Sequence, residues 1–536
     1  MRKILASIAL ASAAFAVVAQ DPKPADAKKP ADVKKPEAKP APARKAKQEP
    51  TLKVGDAPPP LTADRWLQGP EHKGYEKGKI YVVEFWATWC GPCIVMMPHM
   101  SHLQAEYKDK GVTFIGYSKQ DDNNTLEKVE AFVKRRGPKL GYTFCFGEEP
   151  DVYESFMTAS GNGGIPCCYV IDRETKIAFM GHPMYLDLVL PKVAEGKWTL
   201  ADAVAIDGIE KEVNTLFGAL NGKPETVLAT FADFEKKHPT IAQAPYFQPA
   251  RMAAMLKLKK YDDAKLFARN LMAKAKKNDD DTLYSTVSRS LRSPEGRGQP
   301  ALMELALKSA DEALKLLGEN DSRALLSVAQ TSYIAGDMAR GKAFADKAIA
   351  AAEIRSKSST AMQAANSAIE AKDKATGIAF IEQGLKLAKD LNKHYIETKS
   401  RFRAPTDAMI LADAAGFFVE AKDAATGAEY AKKALDASTS ATKPSTKLTL
   451  ARIYLGAEDK KTGDQYAKEA LEDAPEAAKP IFMYQLSMAY YNAGEKVTAR
   501  NYAEQALEKA PAQLQQQMRP SLRRILTDPE GKTSDK

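Results

Sequence analysis

The sequence predicts an α/β domain followed by an all-α array of stacked helix pairs. Three observations carry this. Two cysteines, Cys90 and Cys93, stand three residues apart between an apolar β-branched run and a helical stretch. Short apolar runs alternate with helical stretches from about residue 51 to 200, the pattern of a central sheet flanked by helices. Beyond about residue 205 the chain becomes alanine-rich, free of cysteine and repetitive, as helical-repeat proteins are. At 536 residues the chain exceeds one ordinary domain, so two or three folded units are expected.

The first element is a leader. Arg2-Lys3 give a charged start, Ile4 to Val18 an apolar run, and Val17-Val18-Ala19 a small-residue cleavage site, so residues 1–19 read as a secretory signal peptide. The apolar run falls short of the roughly 20 residues of a membrane span. No cysteine lies near the cleavage site, which gives a lipid anchor no support. Residues 20–50 form a Lys-, Pro- and Ala-rich tract with too few large apolar side chains to fold, and read as a solvated linker. Residues 21–50 hold nine Lys/Arg against five Asp/Glu, so much of the net charge of +9 belongs to this tract and the leader. The remainder is close to neutral, which argues against a nucleic-acid partner. All five cysteines fall between positions 90 and 168, unlike a disulfide-stapled scaffold, and the odd number leaves a thiol over. The compartment expected is periplasmic.

Within residues 51–200 the first clear strand is Ile80-Tyr81-Val82-Val83-Glu84-Phe85, and Ile94-Val95-Met96-Met97 read as helix just beyond the cysteines. That geometry puts Cys90 at a helix N-terminus, where unpaired N–H groups and the helix dipole favour a thiolate. A thiolate attacks disulfides, so Cys90 is the candidate nucleophile and Cys93, one turn further in, the resolving thiol. Val112 to Tyr117 is the next strand and Leu126 to Arg136 a helix; Tyr142 to Phe146 is a strand, with a helix around Val152 to Met157. Val170 to Ile177 reads as strand, turn and strand.

In the region 205–515, the stretch Thr426-Gly427-Ala428-Glu429-Tyr430-Ala431 recurs as Thr462-Gly463-Asp464-Gln465-Tyr466-Ala467 and Thr498-Ala499-Arg500-Asn501-Tyr502-Ala503, each 36 positions on. Weaker copies sit at Gly341 and Gly377, also 36 apart. Gly463 and Ala470 lie on one helix face and let a neighbouring helix come close, with Tyr466 filling the space between them. Pro475 and Pro511 close their repeats. This resembles the tetratricopeptide repeat, which implies a helical solenoid with a concave face for a protein partner; an irregular bundle is the bland alternative. Residues 516–536 are a polar tail.

The segment Trp86-Ala87-Thr88-Trp89-Cys90-Gly91-Pro92-Cys93 resembles the active site of the thioredoxin superfamily, and is similar to TlpA/ResA-like redoxins over roughly residues 55–195. Pro98 stands where the family places a helix-kinking proline, Gly164-Ile165-Pro166 where it has a cis-proline loop, and Glu84 where it carries a buried carboxylate. The resemblance implies a thioredoxin-like domain with Cys90 and Cys93 as the redox-active disulfide. It also implies proton transfer by Glu84, and substrate contact at Trp89 and at a cis Ile165–Pro166 bond. It further implies a protein disulfide as substrate, a membrane electron donor as partner and no cofactor. Isoleucine before the proline and Gly-Pro between the cysteines lean toward a reductase.

Other readings stand beside this one. Zinc would need Cys145, Cys167, Cys168 or His99 to complete a set of four ligands. Met96, Met97, His99, Met100, Met180, His182 and Met184 invite a copper reading, although these methionines sit on positions expected in the core. Glu84 could instead be an edge-exposed acid. Cys167 and Cys168, on opposite faces of a strand, read as a vicinal disulfide, a third redox thiol or two small core residues; Cys145 reads as core. A peroxiredoxin is disfavoured, since a lone cysteine preceded by a Pro-x-x-x-Thr pattern is not seen. In the rival functional class the repeats act as a scaffold and the redox domain only docks.

Overall fold

The computed structural model describes residues 50–530 apart from 150, 221, 400, 401 and 529. The leader, the linker up to residue 49 and residues 531–536 lie outside the described residues; the first part of the expected polar tail is instead helical to Thr527, because Met518, Leu522 and Ile525 are buried against the preceding helices. The chain divides into two compact units, one ending at Ala352 and the other beginning at Glu353.

In the first unit a six-stranded sheet is built from β1 (Arg65–Gln68), β2 (Ile80–Trp86), β3 (Val112–Lys119), β4 (Thr143–Gly147), β5 (Cys167–Ile171) and β6 (Ile177–Gly181), in the order β1-β4-β3-β2-β5-β6. The segments β2, β3 and β4 are mutually parallel. They are joined by α1 (Gly91–Tyr107) and α2 (Leu126–Leu140). Such crossovers need a helix, because parallel neighbours cannot be linked by a hairpin. By contrast, β5 and β6 are antiparallel additions on the other side of β2. Their tight turn is held by Asp172, whose Oδ1 accepts the backbone N–H groups of Glu174 and Lys176 at 2.9 Å each. This is a thioredoxin-like α/β domain, as expected.

Every residue of β2 is buried, which a run of β-branched and aromatic side chains permits in a strand covered on both faces. Ile80, Val82 and Trp86 join Met96, Met97 and Met100 of α1 in one apolar cluster. Tyr81, Val83 and Phe85 join Cys145, Phe156 and Tyr169 on the opposite face. Three features depart from expectation. The bulged edge strand β1, antiparallel to β4, has no alternating pattern long enough to announce it. Helix α2 runs past Gly137-Pro138 to Leu140 and stops at Gly141, whose φ of 69° closes the helix. The helix expected around Val152–Met157 is a single turn, Asp151–Tyr153, passing into a π-helical stretch, Glu154–Thr158.

The chain continues through α3 (Leu186–Ala194), α4 (Leu200–Ala219), α5 (Pro224–Lys237) and α6 (Gln248–Lys257). These helices are not separate from the sheet domain. Ile206, Val213, Leu216, Phe231, Phe234 and Phe247 belong to the same apolar cluster as the dithiol face of the sheet. Each fully buried phenylalanine contributes roughly 1.5–3 kcal/mol, so this seam holds the first helices firmly. Next come α7 (Tyr261–Lys277), α8 (Asp281–Leu291), α9 (Pro300–Leu317), α10 (Ser322–Ile334) and α11 (Met338–Ala351). Arg136 of α2 reaches Asp281 of α8 at 2.5 Å, and both side chains are nearly buried.

The second unit holds α12 (Ile354–Glu370), α13 (Lys374–Glu397), α14 (Asp407–Glu420), α15 (Ala424–Asp436), α16 (Lys443–Gly456), α17 (Lys460–Asp473), α18 (Lys479–Asn492), α19 (Lys496–Lys509) and α20 (Ala512–Thr527). Successive helices pair, and the repeated residues explain how. Asp337, Asp373, Asp423 and Asp459 each accept a backbone N–H three residues on, from Arg340, Thr376, Thr426 and Thr462, which caps the second helix of a pair. The small residue of the repeat sits where the two helices touch. A Cβ would stand 2.6 Å from Val419 Cγ2 at Gly427 and 2.7 Å from Leu455 Cγ at Gly463. Aromatic pairs recur at the same interval, with ring centroids 5.2 Å apart for Phe418–Tyr430, 5.7 Å for Tyr454–Tyr466 and 5.5 Å for Tyr490–Tyr502. Gly463→Val should destabilise the second unit by roughly 1–3 kcal/mol in urea titration, the usual effect of overpacking. Gly208→Ala on α4, which meets nothing within 4 Å, should be neutral or stabilising by up to about 1 kcal/mol. Equal effects at the two positions would contradict this account of the repeat.

Candidate redox site

The chain leaves β2 at Trp86 and enters α1 at Gly91, and the connecting loop is held by a buried polar network. Asn124 Oδ1 accepts both the backbone N–H and the hydroxyl of Thr88 at 2.8 Å. Its Nδ2 donates to Ser118 Oγ at 2.9 Å and to the Lys119 carbonyl at 2.7 Å, and Ser118 Oγ donates to the Trp86 carbonyl at 3.0 Å. Ser118 and Asn124 are both fully buried. A serine ending a strand and an asparagine in a loop carry no local signal of this contact in the sequence.

Cys90 is the N-cap of α1, in an extended backbone conformation, with no acidic residue in the first helical turn. It forms a disulfide with Cys93, their Cα atoms 5.3 Å apart. Cys90 Sγ also accepts the backbone N–H of Cys93 at 3.2 Å. Cys93 is wholly buried and Cys90 shows 3% of its surface. Beside them Trp89 is 56% exposed, and its indole N–H donates to Asp121 Oδ2 at 2.9 Å. The site is thus a buried sulfur pair at a helix N-terminus with one projecting aromatic ring.

The Ile165–Pro166 bond is cis. Phe85 pairs with Cys167 across β2 and β5, so Ile165 and Pro166 lie beside the segment that carries β2 toward the dithiol. Ile165 is half-buried, and the preceding Gly163 and Gly164 are exposed.

Glu84 is 1% exposed in the middle of the sheet, which rules out the edge-exposed reading. Neither carboxylate oxygen has a hydrogen-bond partner among the described residues. Burial pushes its pKa well above the ordinary carboxylate range. Opposite it in the ladder stands Cys168, which shares the dithiol-side cluster, whereas Cys167 faces the other side with Cys145. All three are free, buried thiols. Burial pushes Cys167 up to about 12 and raises Cys145 and Cys168 well above the ordinary thiol range. They are therefore neutral near pH 7 and poor nucleophiles.

Of the soft-ligand candidates, Met96, Met97, Met100 and Met184 are buried in the apolar core. His99 bonds Asp187 at 2.7 Å, and His182 Nδ1 accepts the Met184 N–H at 3.1 Å. One further residue reaches the site from outside the sheet domain: the Tyr246 hydroxyl donates to the Pro92 carbonyl at 2.9 Å. A separation of 154 positions left no trace of this contact in the sequence.

Comparison with known proteins agrees with this geometry. The redoxin family model matches residues 53–183. The chain is 32% identical over 152 residues to Protein FixW of Rhizobium leguminosarum, a match covering 28% of this chain and 69% of that protein. It is 35% identical over 101 residues to thiol-disulfide oxidoreductase ResA of Bacillus thuringiensis, covering 19% of this chain and 53%, about half, of that relative. Among solved structures, a thioredoxin-family thiol:disulfide interchange protein from Chlorobium tepidum is 25% identical with a TM-score of 0.22, covering 27% of this chain and 99% of that one. The chain belongs to the redoxin family, and its α/β domain is a thioredoxin-like thiol–disulfide oxidoreductase.

Proposed function

We propose that the chain is an exported disulfide reductase acting on protein disulfides. The observation that carries the reading is the Cys90–Cys93 pair at the N-terminus of α1, next to a cis-proline turn and an exposed tryptophan. In the reduced state the Cys90 thiolate attacks a sulfur of the substrate disulfide. A mixed disulfide forms and the first substrate thiolate leaves, taking a proton from water. Cys93 then attacks Cys90 Sγ. Its thiol proton is relayed through the Glu84 carboxyl, which gives its own proton to the departing second substrate thiolate and ends as it began, and the Cys90–Cys93 disulfide remains. A dithiol donor, expected to be a membrane protein, returns two electrons and two protons. Trp89 and the Ile165–Pro166 turn are the surfaces against which an extended substrate strand would lie.

Export rests on the leader at residues 1–19, on the linker at 20–50 and on the cysteine distribution. Among the described residues no helix is long and apolar enough to cross a membrane. The helical repeats of residues 205–515 are read as tetratricopeptide-like and as the surface for a protein partner, because helices paired at a fixed sequence interval present a repeated surface.

Two experiments test the assignment of roles. Cys93→Ser should trap a mixed disulfide between Cys90 and a disulfide substrate, visible on non-reducing gels, whereas Cys90→Ser should trap none; trapping by the second variant alone would reverse the roles. Glu84→Gln should slow resolution of the mixed disulfide by up to about 10²-fold, the low end for a positioned proton-transfer group. Glu84 also predicts a pH-dependent stability difference. Its folded carboxyl keeps its proton to a higher pH than the unfolded one, whose ordinary value is 4.5. The folded state therefore loses stability as pH rises above that value, by about 1.4 kcal/mol for each pH unit until the buried group ionises. Glu84→Gln removes this slope, so the variant should gain on the parent as pH rises above 4.5. A difference independent of pH would show that the carboxyl titrates normally.

A further inference from the structure

The short turn Pro245–Phe247, between α5 and α6, is rigidly placed. Phe247 is wholly buried in the core shared with the sheet. The buried Gln248 side chain donates to the carbonyls of Ala242 at 3.1 Å and Ala244 at 2.8 Å. From this turn the half-buried Tyr246 ring stands edge-on to His182, centroids 5.2 Å apart at 80°, and its hydroxyl donates to the carbonyl of Pro92 at 2.9 Å.

Pro92 lies between the two active cysteines, and the amide it forms with Cys93 has two ends in use. Its oxygen accepts from Tyr246, while its N–H donates to Cys90 Sγ at 3.2 Å. Hydrogen bonds joined through one peptide group polarise each other, strengthening each by about 10–30%. The gain is greater when the acceptor is a thiolate, since a charge-assisted bond is about twice as strong as a neutral one.

We propose that Tyr246 stabilises the Cys90 thiolate by polarising the Pro92–Cys93 peptide group, which makes this turn of the helical region a working part of the redox site. The proposal rests on Cys90 being the nucleophile. No atom is transferred: the phenol keeps its proton, which burial holds more tightly than usual. Pro92 is exposed, so water competes for its carbonyl and the effect is a modest factor.

The test is the pH dependence of Cys90 alkylation by iodoacetamide in the reduced full-length protein, with the modified residue identified by mass mapping. Tyr246→Phe keeps the ring, its contact with His182 and the buried Phe247. Other titratable groups around the dithiol are Glu84 on β2, Cys168 on β5, His182 after β6, Asp121 at Trp89, and His99 with Asp187. None is removed by the substitution, and burial holds His182 down at about 4, so it stays neutral through the assay. The Cys90 midpoint should rise by about 0.3–0.7 pH unit, a two- to fivefold loss of thiolate on the acid side, and the same displacement should persist in a Glu84→Gln background. The Cys90–Cys93 disulfide should also become two- to fivefold harder to reduce with glutathione, because the reduced state has lost thiolate stabilisation. An unchanged midpoint and unchanged glutathione equilibrium would overturn the proposal while leaving the nucleophile assignment intact. Alkylation of Cys93 in place of Cys90 would remove that assignment, and the proposal with it.

Discussion

Strand β2 lies inside the sheet, with β3 on one side and β5 on the other, and the chain leaves it only three residues before Cys90. Everything at the site follows from that placement. Because β2 is buried on both faces, its end is fixed, and the loop beyond it is fixed again by Ser118 and Asn124. Cys90 therefore meets the N-terminus of α1 in one orientation, with its sulfur on the Cys93 N–H. Pairing with β5 brings Pro166 alongside. The same burial holds Glu84 without a partner, and an unsatisfied buried carboxyl costs several kcal/mol if charged. Strongly perturbed buried groups of this kind cluster at functional sites.

The helical region begins as part of the redox domain. From Ile206 to Phe247 its large side chains complete the apolar cluster on the dithiol face. Further along the chain the helix pairs rest on repeated local chemistry instead: an aspartate cap, a small residue at the helix contact and a stacked aromatic pair. These devices need only the neighbouring helix.

What the sequence could reveal was whatever depends on near neighbours. The central strand, the cysteine pair, the β5–β6 hairpin and the repeat interval each announce themselves within a few dozen residues, and Gly427 and Gly463 stand where close helix approach was expected. Family resemblance added the cis bond at Pro166 and the buried acid at Glu84, which no local pattern could have supplied. The unreadable parts depend on distant partners. β1 exists because β4 offers it an edge, and α2 outlasts Gly137-Pro138 because the residues that end a helix in isolation are here only its last turn. Asn124 and Tyr246 look like ordinary loop residues until the fold brings them to Thr88 and Pro92. The two vicinal cysteines were readable as facing opposite ways, but only the register shows that Cys168 is the one beside Glu84.

The central claim is that Cys90 and Cys93 form a reducing couple. Its most direct test is the reduction potential of that couple in the full chain, equilibrated against thiol–disulfide buffers and read by alkylation of the two sulfurs. A single two-electron transition near the thioredoxin value, about −270 mV, is the predicted result. A potential near −120 mV would mark an oxidant and contradict the reductase assignment, and the absence of any transition at these two cysteines would contradict the redox site itself.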